Sequence, residues 1–169
     1  MIDVDEISSR VVELRKNHRF DEAERILRDA IQEEDKAWKL WNQLGHVLNA
    51  NGNFKEAAVS FETATRLNPD EFWLWLSLGY TRKELDQIDE AIDVTLKATK
   101  LATKTGEIGS ALYNLGCYNC IAGRTDEALV YLGRAFEKDE SIRNWAKDDS
   151  DLESLKTDKR FQELLKSNE

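Results

Sequence analysis

The chain has 169 residues and a formal charge of −9, because 33 acidic side chains outnumber 24 basic ones. That charge repels polyanions, so nucleic acid and anionic membrane surfaces are not expected partners. No run of about 18 apolar residues is present, so no membrane insertion is predicted. The acidic start lacks the features of a signal peptide, and two cysteines are too few for a disulfide framework, so a cytoplasmic location is predicted.

The first predicted helix pair spans about residues 4–37 and is the least regular. Its second helix opens with Phe20-Asp21-Glu22-Ala23, a pattern that returns further along the chain. His18 occupies the turn before it, and histidine is one of the few non-glycine residues that adopt a left-handed backbone at tolerable cost. Ile7 and Val11 stand where later pairs have Trp and Gly, as expected for the terminal unit of a stack.

The second predicted pair spans about residues 38–71. Its first helix repeats apolar residues at helical spacing from Trp41 to Leu48, and Asn51-Gly52-Asn53 then interrupts the pattern. Gly52 suits the left-handed end of one helix, and Asn53 is expected to cap the next. Pro69 predicts the end of the second helix.

The third and fourth pairs, about 72–105 and 109–142, repeat the second. Trp41-x-x-Leu44-Gly45 returns as Trp75-x-x-Leu78-Gly79 after 34 residues, and Leu112-x-x-Leu115-Gly116 follows after 37 more. Extra residues around Gly106-Glu107-Ile108 are expected to lengthen the loop between these pairs. Small residues at fixed positions predict close helix contacts within each pair: Gly45, Gly79 and Gly116 opposite Ala57, Ala91 and Ala128.

The C-terminal residues 143–167 lose the repeat but keep helical spacing. Trp145, Leu152, Leu155, Phe161 and Leu165 predict amphipathic capping helices that cover the apolar face of the fourth pair. Residues 1–169 are therefore expected to form a single domain.

The repeats resemble those of tetratricopeptide repeat proteins, whose signature is W-x-x-L-G-x-x-Y followed by A-x-x-x-F. The second pair matches with Trp41, Leu44, Gly45, Ala57 and Phe61. The resemblance implies an all-α fold, a right-handed α-α superhelix of four helix pairs with C-terminal capping helices. It also implies a concave groove lined by the first helices, protein partners, and neither catalysis nor a cofactor.

Counting at helical spacing from the signature gives the side chains expected to line that groove. Large apolar residues among amides suit capture of a peptide or helix. Two alternatives stay open, since the chain's own first segment or self-association could fill the groove. The candidates are Asn42, Gln43, His46, Asn49, Trp73, Leu76, Tyr80, Lys83, Tyr113, Asn114 and Cys117.

Cys117-Tyr118-Asn119-Cys120 is the one motif whose residue types suggest redox chemistry or metal binding. A structural zinc site needs four ligands, and neither a second Cys pair nor paired histidines accompany it. The pair falls inside a predicted helix rather than at its N-terminus, where the dipole would lower a thiol pKa. No metal site is therefore predicted, and both cysteines are interpreted as small packing residues.

Three functional hypotheses follow. The first is a non-catalytic adaptor that holds a peptide or helix of a partner protein. The second is a structural protein that assembles through its repeat surfaces, and the third is a thiol redox protein using Cys117 and Cys120. The adaptor is favoured, and the thiol redox protein is ranked last because the sequence brings together no acid, base and nucleophile.

Overall fold

The structure, a computed structural model, describes residues 2–166, and every regular element in that range is helical. The predicted domain span of 1–169 and the predicted cap end at residue 167 reach beyond the described residues. In order, the elements are α1 (Val4–Lys16), α2 (Phe20–Glu33), α3 (Trp38–Ala50), α4 (Phe54–Leu67), α5 (Phe72–Glu84), α6 (Ile88–Leu101), α7 (Thr105–Ile121), α8 (Thr125–Lys138), α9 (Ile142–Asp148), a 3-10 helix (Ser150–Leu155) and α10 (Lys159–Leu164).

The helices form two compact units, one up to Leu85 and one from Asp86. In the N-terminal unit each helix from α1 to α5 packs on the next, and α1 also contacts α3. In the C-terminal unit α7 packs on both α6 and α8. The boundary lies in the turn inside the third predicted repeat, so a single domain remains a prediction.

The turns inside the repeats have the predicted left-handed backbone. Gly52 and Gly123 have φ of 79° and 73°, and His18 and Asp86 replace glycine with φ of 56° and 59°. Asn53 holds the predicted N-cap position of α4, but its side chain makes no capping hydrogen bond. Its carbonyl oxygen accepts from the Ala57 amide at 3.0 Å.

Two of the signature glycines make room for a large side chain of the second helix. A Cβ atom on Gly45 would lie 2.7 Å from the ring of Phe61, which is fully buried. A Cβ on Gly116 would lie 2.7 Å from the Leu132 side chain in the same way. Gly45 and Gly116 therefore each form a notch that receives the residue four positions after the signature alanine of the same pair.

The repeated tryptophans form hydrogen bonds with the loops between helix pairs. The indole Nε1 of Trp41 donates to the carbonyl oxygen of Asp35 at 2.7 Å. Trp75, 34 residues later, donates to that of Pro69 at the same distance. Each indole therefore satisfies a backbone oxygen in the loop just before its own helix.

The extra residues around Gly106 extend a helix instead of a loop, so the predicted longer loop is wrong. They form the first turn of α7, which has 17 residues where α5 has 13. The Glu107 carboxylate accepts from the backbone amides of Thr103 at 3.0 Å and Lys104 at 3.2 Å. These bonds satisfy free amides at the helix start and lower the pKa of Glu107.

Residues 142–164, named here the capping segment, cover the end of the C-terminal unit. The 3-10 helix packs on α7, and α10 packs on α8. The segment buries apolar side chains in the core of this unit: Ile142, Ala146, Leu152, Leu155 and Phe161. This confirms the predicted capping helices, but Trp145, which was predicted among their covering residues, is 62% exposed.

Candidate protein-binding site

Two aromatic side chains are exposed on α5 in the N-terminal unit. Trp73 and Tyr80 retain 51% and 44% of their accessible surface. They are seven residues apart, so they lie on one face of the helix, about 10 Å apart along its axis. The Lys83 ammonium lies 5.1 Å from the centre of the Tyr80 ring and pairs with Glu84 at 2.7 Å. Such rings offer large contact area to a partner.

The neighbouring helix α3 is joined to α5 by a polar contact. The Asn49 amide Nδ2 donates to the Thr81 hydroxyl at 2.8 Å. That hydroxyl also lies 2.8 Å from the Ser77 carbonyl oxygen of its own helix. Asn49 is therefore half-buried and positions α3 beside α5.

His46 lies on α3 between the core and the surface. Its ring packs edge-on against Phe61, with ring centres 5.1 Å apart. Burial lowers the pKa of His46 from 6.5 to about 4, and the charge of Arg15 acts in the same direction. The imidazole is therefore neutral at pH 7 and suits hydrogen bonding rather than binding of an anion by charge.

Three other predicted residues of this unit are less accessible than expected. Leu76 is 9% exposed and belongs to the core, which corrects its prediction as a groove residue. Asn42 and Gln43 are half-buried, and their side-chain oxygens are enclosed without a hydrogen-bond partner. We name the remaining surface the α3–α5 face; it comprises Asn42, Gln43, His46, Asn49, Trp73, Tyr80 and Lys83.

In the C-terminal unit the capping segment covers the predicted groove residues. The Tyr113 hydroxyl donates to the Asp149 carboxylate at 2.5 Å, and Cys117 is only 3% exposed. Tyr113 and Cys117 are thus not free to line a groove, which corrects that prediction. Asn114 is half-buried on the same helix. The covering segment is the C-terminal one, not the first segment considered from the sequence.

The two thiols are poorly suited to nucleophilic or redox chemistry. Burial raises the pKa of Cys117, and the carboxylates of Asp149 and Asp151 add to the shift. Burial also raises the pKa of Cys120, whose sulfur lies 3.1 Å from the Ser154 hydroxyl. Both stay protonated at neutral pH, and a thiol reacts chiefly as the thiolate.

One group of side chains could hold a metal, and sequence reasoning missed it. Donor atoms of Cys117, Asp149 and Asp151 all lie within 4.8 Å of one another. The carboxylates come from a segment more than 30 residues after the cysteine, so no local spacing indicates the group. Apart from the cysteine, the local indication of this group in the sequence is the Asp149-x-Asp151 pair at the start of a helix.

The family model described as tetratricopeptide repeat matches residues 10–72 and again 42–103, which together span more than half of the chain. The chain belongs to the tetratricopeptide repeat family. Its fold is accordingly the all-α helical solenoid of that family, with four helix pairs and capping helices. Members of this family serve as scaffolds that bind other proteins, typically without catalysis.

Known proteins resemble this tetratricopeptide repeat chain over different lengths. Human Protein O-mannosyl-transferase TMTC3 is 36% identical over 63 residues, which are 37% of this chain and 7% of that protein. The matched part of this chain thus covers less than a tenth of the length of that relative. A crystal structure of MamA has a TM-score of 0.78 at 18% identity, covering 96% of this chain and 90% of that one. YrrB, titled a TPR protein with an unusual peptide-binding site, has a TM-score of 0.73 at 20% identity, covering 96% and 82%.

Among the helices within residues 2–166, none combines the length and the apolar character needed to cross a membrane.

Proposed function

We propose that this tetratricopeptide repeat protein is a non-catalytic adaptor that binds a peptide or helix of a partner protein on the α3–α5 face. The observation that carries the proposal is the exposed pair Trp73 and Tyr80 on one side of α5. Large aromatic side chains dominate the energy of many protein interfaces, and exposing two of them on one helix is costly without a partner.

The spacing of the two rings suits a helical or extended segment. The rings stand about 10 Å apart along α5, which equals the distance between side chains i and i+7 of a partner helix. An extended segment covers the same distance in about three residues. The neutral imidazole of His46 on α3 would hydrogen-bond a polar group of the partner, while Asn49 stays bonded to Thr81.

The buried amides of α3 add a second argument. The side-chain oxygens of Asn42 and Gln43 are enclosed without a hydrogen bond. A buried unsatisfied polar group costs about 1–3 kcal/mol. A partner that brings N–H donors to this face, with a small rotation of the amides, would remove that cost.

The experiment is a quantitative pulldown from a lysate of the source organism with three baits. Trp73→Ala/Tyr80→Ala removes the proposed anchors, and Trp145→Ala is the matched control, since Trp145 is 62% exposed in the other unit. A partner captured by the unchanged chain and the control, but lost with the double variant, supports the proposal. Partners retained by all three baits, or capture of only the chain itself, would overturn it.

Self-assembly is the second candidate function, and a cleft in the C-terminal unit favours it. Leu129, Val130 and Leu164 form the apolar half of this cleft of about 640 Å³, Asp126, Arg160 and Glu163 form its charged half, and Val130 is 59% exposed. Light scattering over a concentration series tests this candidate. A mass that rises with concentration, and falls in Val130→Asp but not in Val59→Asp, would support it; Val59 is similarly exposed on α4.

We also propose a reducing cytoplasm as the location, because both cysteines are free thiols in the interior. Their raised pKa values count against the thiol redox hypothesis.

A further inference from the structure

Folding brings three donor atoms that could bind a metal together in the C-terminal unit, whereas the α3–α5 face belongs to the N-terminal unit. Cys117 lies on α7, Asp149 precedes the 3-10 helix, and Asp151 lies in its first turn. The Cys117 sulfur is 3.8 Å from one Asp149 oxygen, and the three donor atoms lie within 4.8 Å of one another. From the sequence, only the cysteines could be considered as ligands.

We propose that Cys117, Asp149 and Asp151 bind a divalent transition-metal ion such as Zn²⁺, with water in the fourth position. Zinc accepts thiolate and carboxylate ligands in one tetrahedral site. Bonds of about 2.3 Å to sulfur and 2.0 Å to oxygen place such donors ~3.5 Å apart. The observed 3.8 Å separation therefore needs only a small adjustment of side chains.

The Cys117 thiol combines a packing position with a polar contact. Cys117 is 3% exposed among the apolar side chains of the core, and its sulfur also lies 3.8 Å from an Asp149 carboxylate oxygen. On binding, the ion would take the place of the Cys117 thiol proton, which is released to solvent, and the thiolate and two carboxylates would offset its charge.

A neighbouring hydroxyl already orients one of the proposed ligands. Tyr113 donates to Asp149 Oδ2 at 2.5 Å, and the Asp151 amide donates to Asp149 Oδ1 at 2.8 Å. Hydrogen bonds of this kind fix metal-binding carboxylates in place, and their loss lowers metal affinity by about 10–100-fold. The Tyr113 hydroxyl would be a positioning group for the site.

The position of the cluster indicates a structural role for the ion. Its ligands come from α7 and from the capping segment, so a bound ion would link the two. Binding to the folded chain alone raises the melting temperature in proportion to the logarithm of the metal concentration. The ion would therefore stabilise the packing of the capping segment on α7.

The test uses the full chain without an affinity tag, stripped with EDTA and titrated with Co²⁺ and then with Zn²⁺. Cobalt bound to a thiolate gives a near-ultraviolet charge-transfer absorption, which reports directly on Cys117. We expect a saturable band at one equivalent, displacement by Zn²⁺, and a melting temperature that rises with Zn²⁺. Tyr113→Phe should weaken binding by about tenfold or more.

Four variants decide between this site and other modes of binding. Cys117→Ser should abolish the band, and Asp151→Asn should weaken binding at least tenfold while circular dichroism shows an unchanged fold. Cys120→Ser and Asp148→Asn are the matched controls and should bind as the unchanged chain does, since Asp148 is exposed beside the cluster. An absent band, a band that survives in Cys117→Ser, or equal loss in the controls would overturn the proposal.

Discussion

The notch at Gly45 allows a direct test at the scale of one residue. A methyl group at this position would lie 2.7 Å from the fully buried Phe61 ring. We expect Gly45→Ala to lower the free energy of unfolding by about 1–3 kcal/mol through overpacking. Chemical denaturation followed by circular dichroism measures the change.

Two further variants separate overpacking from the general effect of glycine in a helix. Gly106→Ala, where a Cβ meets nothing within 4 Å, should be neutral or stabilise by about 0.4–1 kcal/mol. In a Phe61→Leu background, Gly45→Ala should cost less, because the smaller side chain leaves room. An equal cost in both backgrounds would show that the ring is not the obstacle.

The lowered pKa of His46 predicts that the stability of the fold depends on pH. Its pKa is about 4 when folded and about 6.5 when unfolded, so the unfolded chain binds the proton more tightly. Stability is therefore greatest above pH 6.5 and falls as the pH drops towards 4, by up to about 3 kcal/mol. Below pH 4 both states carry the proton, and this contribution stops changing.

The measurement is the free energy of unfolding between pH 7 and pH 4 for the unchanged chain and His46→Gln. Carboxylates titrate in both proteins, so only the difference between them reports on His46. His18→Asn is the control, because His18 is exposed and asparagine tolerates its left-handed backbone. Parallel pH curves for the unchanged chain and His46→Gln would contradict the expectation.

At the scale of elements, the capping segment is expected to stabilise the C-terminal unit through buried apolar side chains. Phe161 on α10 is 1% exposed, whereas Trp145 on α9 is 62% exposed. Phe161→Ala should lower the free energy of unfolding by about 3–5 kcal/mol, and Trp145→Ala should have little effect. Thermal unfolding of both variants checks this, and similar melting temperatures would refute it.

Deletion of the whole capping segment is the stronger version of the same test. Removing residues from 143 onward would uncover apolar side chains of α7 and α8, and we expect aggregation. Size-exclusion chromatography with light scattering detects it. A truncated chain that stays monomeric with unchanged melting would show that the segment is dispensable.

Helix content and repeat order could be predicted from the sequence because they depend on local spacing. The 34-residue period is visible when the copies are compared, and each copy contains one turn residue at the matching place: His18, Gly52, Asp86 and Gly123. The first turn of α7 could not be predicted this way. Gly106 suggested a loop, whereas Glu107 caps the helix by accepting from two preceding amides.

Helical counting predicted exposure correctly where the exposure of a side chain depends on one helix. Trp73 and Tyr80 are exposed on α5, as counting from the repeat signature predicted. Counting could not show that the capping segment returns over Tyr113 and Cys117. The same long-range contact created the cluster with Asp149 and Asp151, which sequence spacing could not reveal.

At the scale of the whole molecule, the charge of −9 predicts that nucleic acid is not a partner. Non-specific binding to duplex DNA requires basic side chains that displace counterions, and a net negative chain is repelled instead. We expect no change in the fluorescence anisotropy of a labelled duplex at 50 mM salt, up to high micromolar protein. A basic DNA-binding protein in the same assay provides the positive control. A saturable rise that weakens steeply with added salt would reveal a local basic surface strong enough to outweigh the overall charge.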